Sequence, residues 1–255
     1  MLPQEIIDEI LGLLAPDPDA SRRYKYSLRY CSVVCKSWVE SCRRHLFCEL
    51  YFDAERAWKW LQVFPEHSPG HHVRRVDINL ERSDPDLHKI IEHFHGFPKL
   101  KTVTVCRVGR GRSLWMSQFV GLPQFVTSLR LEEHSITLWQ IRDVISQLPN
   151  LDDLHLTGAL PVTDRNEVRG IGTTLTAKFR GHLELCTVSP GCSDGDIVNM
   201  LLEVPTGLHF KDVHSWACLS LTVRIVEACR KTLVKLLYEF YNKSESAPSR
   251  TKCQC

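Results

Sequence analysis

The stretch Leu148-Pro149-Asn150-Leu151-Asp152-Asp153-Leu154-His155-Leu156 carries the pattern that decides the fold. Leu151, Leu154 and Leu156 form a frame, apolar-x-x-apolar-x-apolar, whose last two positions alternate as in a β-strand with one buried face. A Pro-containing turn precedes this frame, and the same arrangement occurs at Phe97-Pro98-Lys99-Leu100. The pattern predicts a turn that leads directly into a short strand.

The frame recurs along most of the chain at a nearly constant interval. Its copies are Phe47/Leu50/Phe52, Val73/Val76/Ile78, Leu100/Val103/Val105, Val126/Leu129/Leu131, Leu151/Leu154/Leu156, Arg180/Leu183/Leu185, Pro205/Leu208/Phe210 and Leu233/Leu236/Tyr238. Successive copies begin 26, 27, 26, 25, 29, 25 and 28 residues apart. A fixed period of this size is typical of a solenoid, in which each repeat contributes one structural unit.

Helical patterns lie between the frames. Apolar residues at helical spacing occur over 57–64, 87–94, 138–148, 196–202 and 221–229. Ser83-Asp84-Pro85 precedes the second of these segments as a helix cap, and Thr137 with Gln140 forms a capping box before the third. One strand and one helix therefore alternate about every 26 residues.

The first 48 residues have a different organisation. Leu2-Pro3-Gln4-Glu5-Ile6 opens an amphipathic helix with a wide apolar face, which ends before the Pro-rich segment 15–19. Apolar residues at spacings of three and four then form one helical seam, namely Leu28, Cys31, Cys35, Trp38 and Cys42. So short a segment cannot bury two wide apolar faces by itself. The surplus packs either on the rest of the chain or on a partner protein.

This N-terminal segment resembles an F-box, the helical module that docks substrate receptors onto a Skp-family adaptor in cullin-based ubiquitin ligases. The resemblance is carried by Leu2-Pro3 with Glu5-Ile6, and by Val34-Cys35-Lys36 with Trp38. The link from Pro16 to Ser27 departs from the family by being longer and more basic. The resemblance implies that the adaptor, and through it a cullin, is bound by Leu2, Pro3, Ile6, Ile10, Leu28, Val34 and Trp38.

The repeats are similar to the leucine-rich-repeat family, although the Asn usual after each frame is absent. This resemblance implies an α/β fold: a short N-terminal helical F-box followed by a leucine-rich-repeat-like solenoid, with a curved parallel sheet and helices on its convex face. The corresponding boundaries are 1–48 for the helical module, 49–241 for the solenoid and 242–255 for a disordered polar tail. An ordinary two-layer α/β domain is the alternative fold.

A solenoid exposes the polar positions of its strands on one continuous face, and here they carry both signs of charge. We expect a protein substrate to bind there through Arg74, Arg75, Asp77, Lys101, Arg130, Glu132, Asp153, His155, Glu184 and Lys211. The alternative is that these charges only solvate the sheet.

Composition and motifs exclude several other classes. The net charge of +2 argues against nucleic acid or a membrane surface as partner, and the N-terminus does not fit a secretory signal, so we expect a cytoplasmic or nuclear protein. Eleven cysteines without a CxxC pair favour buried thiols. His71-His72 in a Pro/Gly loop, and His88, His93 and His95, are interpreted as surface histidines that point apart. We therefore expect no metal and no cofactor.

The sequence thus predicts a non-enzymatic, substrate-recruiting subunit of an SCF-type ubiquitin ligase. One alternative is a leucine-rich-repeat interaction scaffold whose N-terminal helices only cap the solenoid. A second is an enzyme with a cysteine nucleophile, which would require a thiol of low pKa.

Overall fold

The computed structural model describes residues 3–13, 28–33, 36–53, 69–79, 87–106, 122–132, 138–158, 175–186 and 193–239. The predictions for Leu2, Val34 and Cys35, the helix over 57–64, the caps at Ser83-Asp84-Pro85 and Thr137, and the tail 242–255 lie outside these residues. None of the helices within them is long and apolar enough to span a bilayer.

Eight parallel strands form one sheet, and each strand pairs with the next one along the chain. The strands are β1 (Glu49–Asp53), β2 (Arg75–Asn79), β3 (Thr102–Cys106), β4 (Ser128–Glu132), β5 (Asp153–Thr157), β6 (His182–Cys186), β7 (Asp212–Ser215) and β8 (Lys235–Tyr238). The α/β class and the one-strand-per-repeat order expected from the period are therefore present.

The helices follow the predicted segments. They are α1 (Gln4–Leu13), α2 (28–33), α3 (Lys36–Phe47), α4 (Leu87–Phe94), α5 (Leu138–Ser146), α6 (Ser193–Leu202) and α7 (Leu219–Ala228), and Pro69–His72 forms a 3₁₀ helix before β2. Apolar side chains of α4 to α7 pack with one face of the sheet in a single core, which includes Val103, Leu129, Leu154 and Leu183. The opposite face of the sheet carries the polar strand positions.

Backbone carbonyls bind successive repeats together where each strand begins. The carbonyl oxygen of Arg74 accepts hydrogen bonds from the amides of Lys101 (2.8 Å) and Thr102 (3.0 Å), and the carbonyl of Lys101 accepts from Thr127 and Ser128, both at 2.9 Å. This repeated backbone pairing joins each repeat to the next by main-chain hydrogen bonds.

The structure differs from the predicted frames in the sixth and seventh repeats. The frame at Pro205/Leu208/Phe210 is wrong, because β7 instead uses Phe210 and Val213 with Ser215 at the third position. Ser215 is fully buried, and its hydroxyl pairs with that of Thr222 at 2.8 Å. A polar residue at a core position therefore concealed the strand.

In the sixth repeat, the first apolar position is Phe179 and not Arg180. Phe179 is fully buried and its ring lies 5.1 Å from that of Phe210, whereas Arg180 is exposed. The backbone reaches this arrangement with a positive φ of 45° at Phe179, which a residue with a Cβ rarely adopts.

The N-terminal helices have a small core of their own. Ile7, Leu11, Leu28 and Cys42 are buried together, and Cys31, Trp38 and Leu46 pack against them. The predicted helical seam is therefore present at every described position. Helix α3 also contacts the 3₁₀ helix and β1, so this small core adjoins the beginning of the sheet.

Candidate functional site

The polar face of the sheet consists of side chains held in rows by the parallel register. The middle row contains, in order from β1 to β8, Tyr51, Asp77, Thr104, Arg130, His155, Glu184, His214 and Leu237. Neighbours in a row of a parallel sheet lie about 5 Å apart, so their side chains interact directly. Residues that recur once per repeat in the sequence therefore form one continuous surface in the fold.

An ion pair between β5 and β6 lies in this row. Nδ1 of His155 is 2.7 Å from Oε2 of Glu184, and His155 is buried although it lies on the polar face. The hydrogen bond from His155 lowers the pKa of Glu184, burial opposes this shift, and the charges of His155, His214 and Arg130 add to the lowering. Glu184 is therefore a fixed carboxylate at neutral pH.

His182 lies beside this pair. Its ring centroid is 4.9 Å from that of His155, and burial together with the neighbouring His155 lowers the pKa of His182. Its backbone amide donates to Oδ1 of Asp153 at 2.7 Å. A Cβ at Gly181 would collide with that same Asp153 oxygen, so a larger residue at this position would require the Asp153 side chain to move.

Beyond β6 the polar face continues with His214 and Trp216. Nε1 of Trp216 donates to Nε2 of His214 at 2.9 Å, and Nε2 also lies 3.1 Å from Oε1 of Glu239. One ring nitrogen cannot accept from Trp216 and donate to Glu239 at once, so the two contacts are alternatives. Because the predicted seventh frame ends at Phe210, it does not place His214 and Trp216 on the polar face.

A second charged pair lies toward the first strands. Nε of Arg75 donates to Oδ1 of Asp77 at 2.8 Å, and Asp77 is buried. Burial raises the pKa of nearby Tyr51 to about 12, and the charges of Asp77 and Glu49 add to this effect. The two ends of the face therefore differ, with a guanidinium pair at β2 and a histidine-rich group at β5 to β7.

The predicted substrate residues fall into two sets. Arg75, Asp77, Arg130, Glu132, Asp153, His155 and Glu184 belong to strands on the polar face. Arg74, Lys101 and Lys211 are exposed and precede their strands, where their carbonyls hold successive repeats together. The structure brings Arg130, His155 and Glu184 side by side and separates them from the Arg75–Asp77 pair.

The predicted adaptor residues also differ in position. Pro3 and Ile6 are exposed and Ile10 is half-buried on α1, while Trp38 is half-buried against the N-terminal core. Leu28 has no exposed surface, so it supports the helices from inside and offers no side chain to a partner.

Among the residues that the structure describes, two groups of side chains have the composition of a metal site. One comprises His155, His182 and Glu184, and the other comprises Glu40 on α3 with His71 and His72 on the 3₁₀ helix. The prediction that His71 and His72 are surface residues that point apart is wrong. Their ring centroids are 3.7 Å apart and His72 is buried. Burial, with His71 nearby, lowers the pKa of His72.

The thiols of Cys106, Cys186 and Cys229 have raised pKa values, whereas an activated nucleophile has a lowered one. Burial raises the pKa of Cys186 to about 12, and it also raises the pKa values of Cys106 and Cys229. Sγ of Cys106 lies 3.4 Å from Oε2 of Glu132, whose negative charge disfavours a thiolate.

No family model matches the chain, and no curated protein matches it. Among solved structures, the C-terminal domain of tropomodulin from Caenorhabditis elegans is similar at 13% sequence identity and a TM-score of 0.37. The match covers 71% of this chain and 93% of that chain.

Proposed function

We propose that this protein recruits substrates to an SCF-type ubiquitin ligase. Its N-terminal helices would be an F-box that docks a Skp-family adaptor, and its repeats would be a degenerate leucine-rich-repeat solenoid whose polar face binds the target protein. The single observation that carries the proposal is apolar surface left exposed on the N-terminal helices.

That surface is large for so small a module. Ile6 and Leu13 on α1 are 41% and 80% exposed, and Tyr30 and Val33 on α2 are 72% and 80% exposed. The adjoining core already contains Ile7, Leu11 and Leu28, so the exposed residues are additional to what folding buries. Exposed apolar side chains on both helices of one short module favour a protein interface.

The proposed mechanism is positioning without chemistry by this chain. A target held on the polar face and an adaptor held by the helices would belong to one connected body. Such tethering raises the effective concentration of target lysines near the ubiquitin-charged enzyme. The mixed charges around His155 and Glu184 would select a target segment of complementary charge.

A second function, a scaffold whose N-terminal helices only cap the repeats, has an observation in its favour. Helix α3 contacts β1 and the 3₁₀ helix, as a terminal cap would. Capping accounts for α3 but leaves the exposed residues of α1 and α2 without a role.

Co-expression with a Skp-family adaptor separates the two functions. We expect the wild-type chain to co-purify with the adaptor and the double variant Ile6→Asp/Val33→Asp to lose it. Leu219→Asp/Val223→Asp is the matched control, because these two residues are similarly exposed on α7, at 57% and 43%. Circular dichroism establishes that each variant keeps its fold.

A wild-type chain that does not capture the adaptor would leave the scaffold function in its place. Loss of capture in the α7 control as well would show that added charge, and not the N-terminal surface, disrupts binding. For the target, proximity labelling with and without proteasome inhibition should enrich proteins that Glu184→Lys no longer labels, while adaptor capture persists.

A further inference from the structure

Glu40, His71 and His72 come together where the N-terminal helices meet the sheet. Glu40 belongs to α3, and the two histidines end the 3₁₀ helix that precedes β2. Their candidate ligand atoms, one from each residue, all lie within 4.8 Å of one another. Carboxylate oxygen and imidazole nitrogen are the donors that zinc accepts alongside thiolate.

His72 supplies an independent observation that points to a ligand at this place. Its side chain is only 4% exposed, yet its Nε2 atom is buried without a hydrogen-bond partner among the described residues. Buried polar atoms are rarely left unpaired, because the cost of desolvating them is then uncompensated. The unpaired Nε2 lies 3.2 Å from Oε1 of Glu40, but it does not have the direction of a hydrogen bond to it.

That separation fits two atoms bound to one ion. In a tetrahedral zinc site, bonds of roughly 2.0–2.2 Å place neighbouring ligand atoms about 3.3–3.6 Å apart, close to this separation. The group formed by His155, His182 and Glu184 differs in this respect, because His155 and Glu184 are already joined at 2.7 Å by a hydrogen bond. A metal there would have to break that bond, whereas at His72 it would satisfy an unpaired atom.

The surrounding charges leave Glu40 able to turn toward a cation. Nε of Arg44 lies 3.8 Å from Oε1 of Glu40, which makes Arg44 a competitor for the carboxylate. Nη1 of the same guanidinium lies 3.6 Å from Oδ2 of Asp8, so Arg44 keeps a carboxylate partner after Glu40 binds the ion.

We propose that Glu40, His71 and His72 bind a divalent transition-metal ion of the zinc class. Three protein ligands leave a fourth position for water, on the side where Glu40 and His71 are exposed. The bound ion joins α3 to the segment that leads into β2, and so clips the N-terminal helices to the sheet. This role goes beyond adaptor docking and does not depend on it.

Zinc titration of the full chain against a chromogenic chelator tests the site. We expect Glu40→Gln and His72→Asn to bind zinc about tenfold or more weakly than the wild type, since even partners of a ligand matter that much. His71→Asn, at an exposed position, reports on the same site with least risk to folding. His155→Asn is the matched control, because it removes a histidine from the other group.

Two further measurements complete the test. Cobalt(II) bound in place of zinc should show tetrahedral visible bands without the thiolate charge-transfer band that cysteine ligands would give. Zinc should raise the melting temperature of the wild type and of His155→Asn, but not that of Glu40→Gln. Circular dichroism before metal addition verifies that the variants fold.

The proposal is overturned if wild type and Glu40→Gln bind zinc equally, or if His155→Asn alone removes binding. A cobalt thiolate band that persists in all three site variants would likewise assign the metal to cysteines. Adaptor capture is measured separately in chelator, so failure of the metal site leaves the proposed docking function open to its own test.

Discussion

Ser215 is a polar residue at a position that β2 to β6 fill with aliphatic side chains. Its hydroxyl lies 2.8 Å from that of Thr222 on α7, and it also accepts a hydrogen bond from the amide of Ala217 at 3.3 Å. The pair therefore ties β7 to the helix that follows it. Burial of two hydroxyls is tolerated because each satisfies the other.

We expect Ser215→Ala to lower the free energy of unfolding by about 1–3 kcal/mol, because it leaves the Thr222 hydroxyl with one partner fewer in a buried site. Urea denaturation measures the change. Ser220→Ala on the exposed start of α7 is the control and should change stability by no more than about 0.5 kcal/mol. Equal losses in both variants would contradict a special role for the buried pair.

Gly181 and Gly195 should respond to alanine with opposite signs. At Gly181 a Cβ would collide with Asp153 and displace its bond to the His182 amide, so we expect a loss of about 1–3 kcal/mol. At Gly195, inside α6, no atom lies within 4 Å of a new Cβ, so alanine should add about 0.5–1 kcal/mol. Thermal unfolding measures the stability of the two variants. A rise in the stability of Gly181→Ala would contradict the prediction, because it would show that the Asp153 side chain moves aside without cost.

At the scale of elements, neighbouring strands are joined by side chains on the polar face as well as by backbone bonds. The His155–Glu184 pair joins β5 to β6, and Asp153 joins β5 to the start of β6. The pKa of Glu184 is lowered in the folded chain, so its carboxylate stabilises the fold above the ordinary glutamate pKa of 4.5. This contribution is lost as the pH falls through the lower, folded-state pKa.

We therefore expect wild type to be more stable than Glu184→Gln at pH 7, and the difference to shrink as the pH falls below the ordinary glutamate pKa of 4.5 and through the lower folded-state pKa. Urea midpoints at several pH values measure it. Glu227→Gln, which replaces an exposed glutamate on α7, is the matched control for the removal of one carboxylate. A difference in stability between wild type and Glu184→Gln that does not change with pH would mean that the pair contributes through packing and not through the charge of Glu184.

At the scale of the whole molecule, each strand contacts only its neighbours in the sheet, so stability should vary along the chain. Leu183 in β6, Val213 in β7 and Leu236 in β8 occupy one row of the register. Leu183 is fully buried, whereas Leu236 on the last described strand is 46% exposed. Two leucines at equivalent positions of the sheet thus differ in burial, one in the core and one half-exposed to solvent.

Leu183→Ala should lower the free energy of unfolding by about 2–5 kcal/mol, and Leu236→Ala by about 1 kcal/mol or less. Truncation leaves a cavity only at Leu183, because that side chain is surrounded by the core. Urea denaturation compares the two variants. Hydrogen exchange should also release the amides of β8 before those of β6. Equal costs would indicate that β8 is covered as fully as the inner strands.

The sequence by itself determined the parallel strand order and most strand positions. Apolar residues at a nearly constant period favour an arrangement in which each frame lies beside the next, and so Val103, Leu129 and Leu154 could be predicted to share one core. The prediction failed at β7, where Ser215 is buried by pairing with Thr222, since a buried polar side chain does not contribute to the apolar pattern.

Only the tertiary structure decided which side chains meet across strands and between elements. His155 reaches Glu184, and Glu40 reaches His72, through register and packing that bring together residues far apart in the chain. It also decided which apolar residues of the N-terminal helices stay exposed, since Ile6 and Ile7 are adjacent and similar in sequence but only Ile7 enters the core. The periodicity of the sequence determines which side of each helix or strand is apolar. Which of these sides pack against each other depends on distances in the folded chain, which the periodicity does not contain.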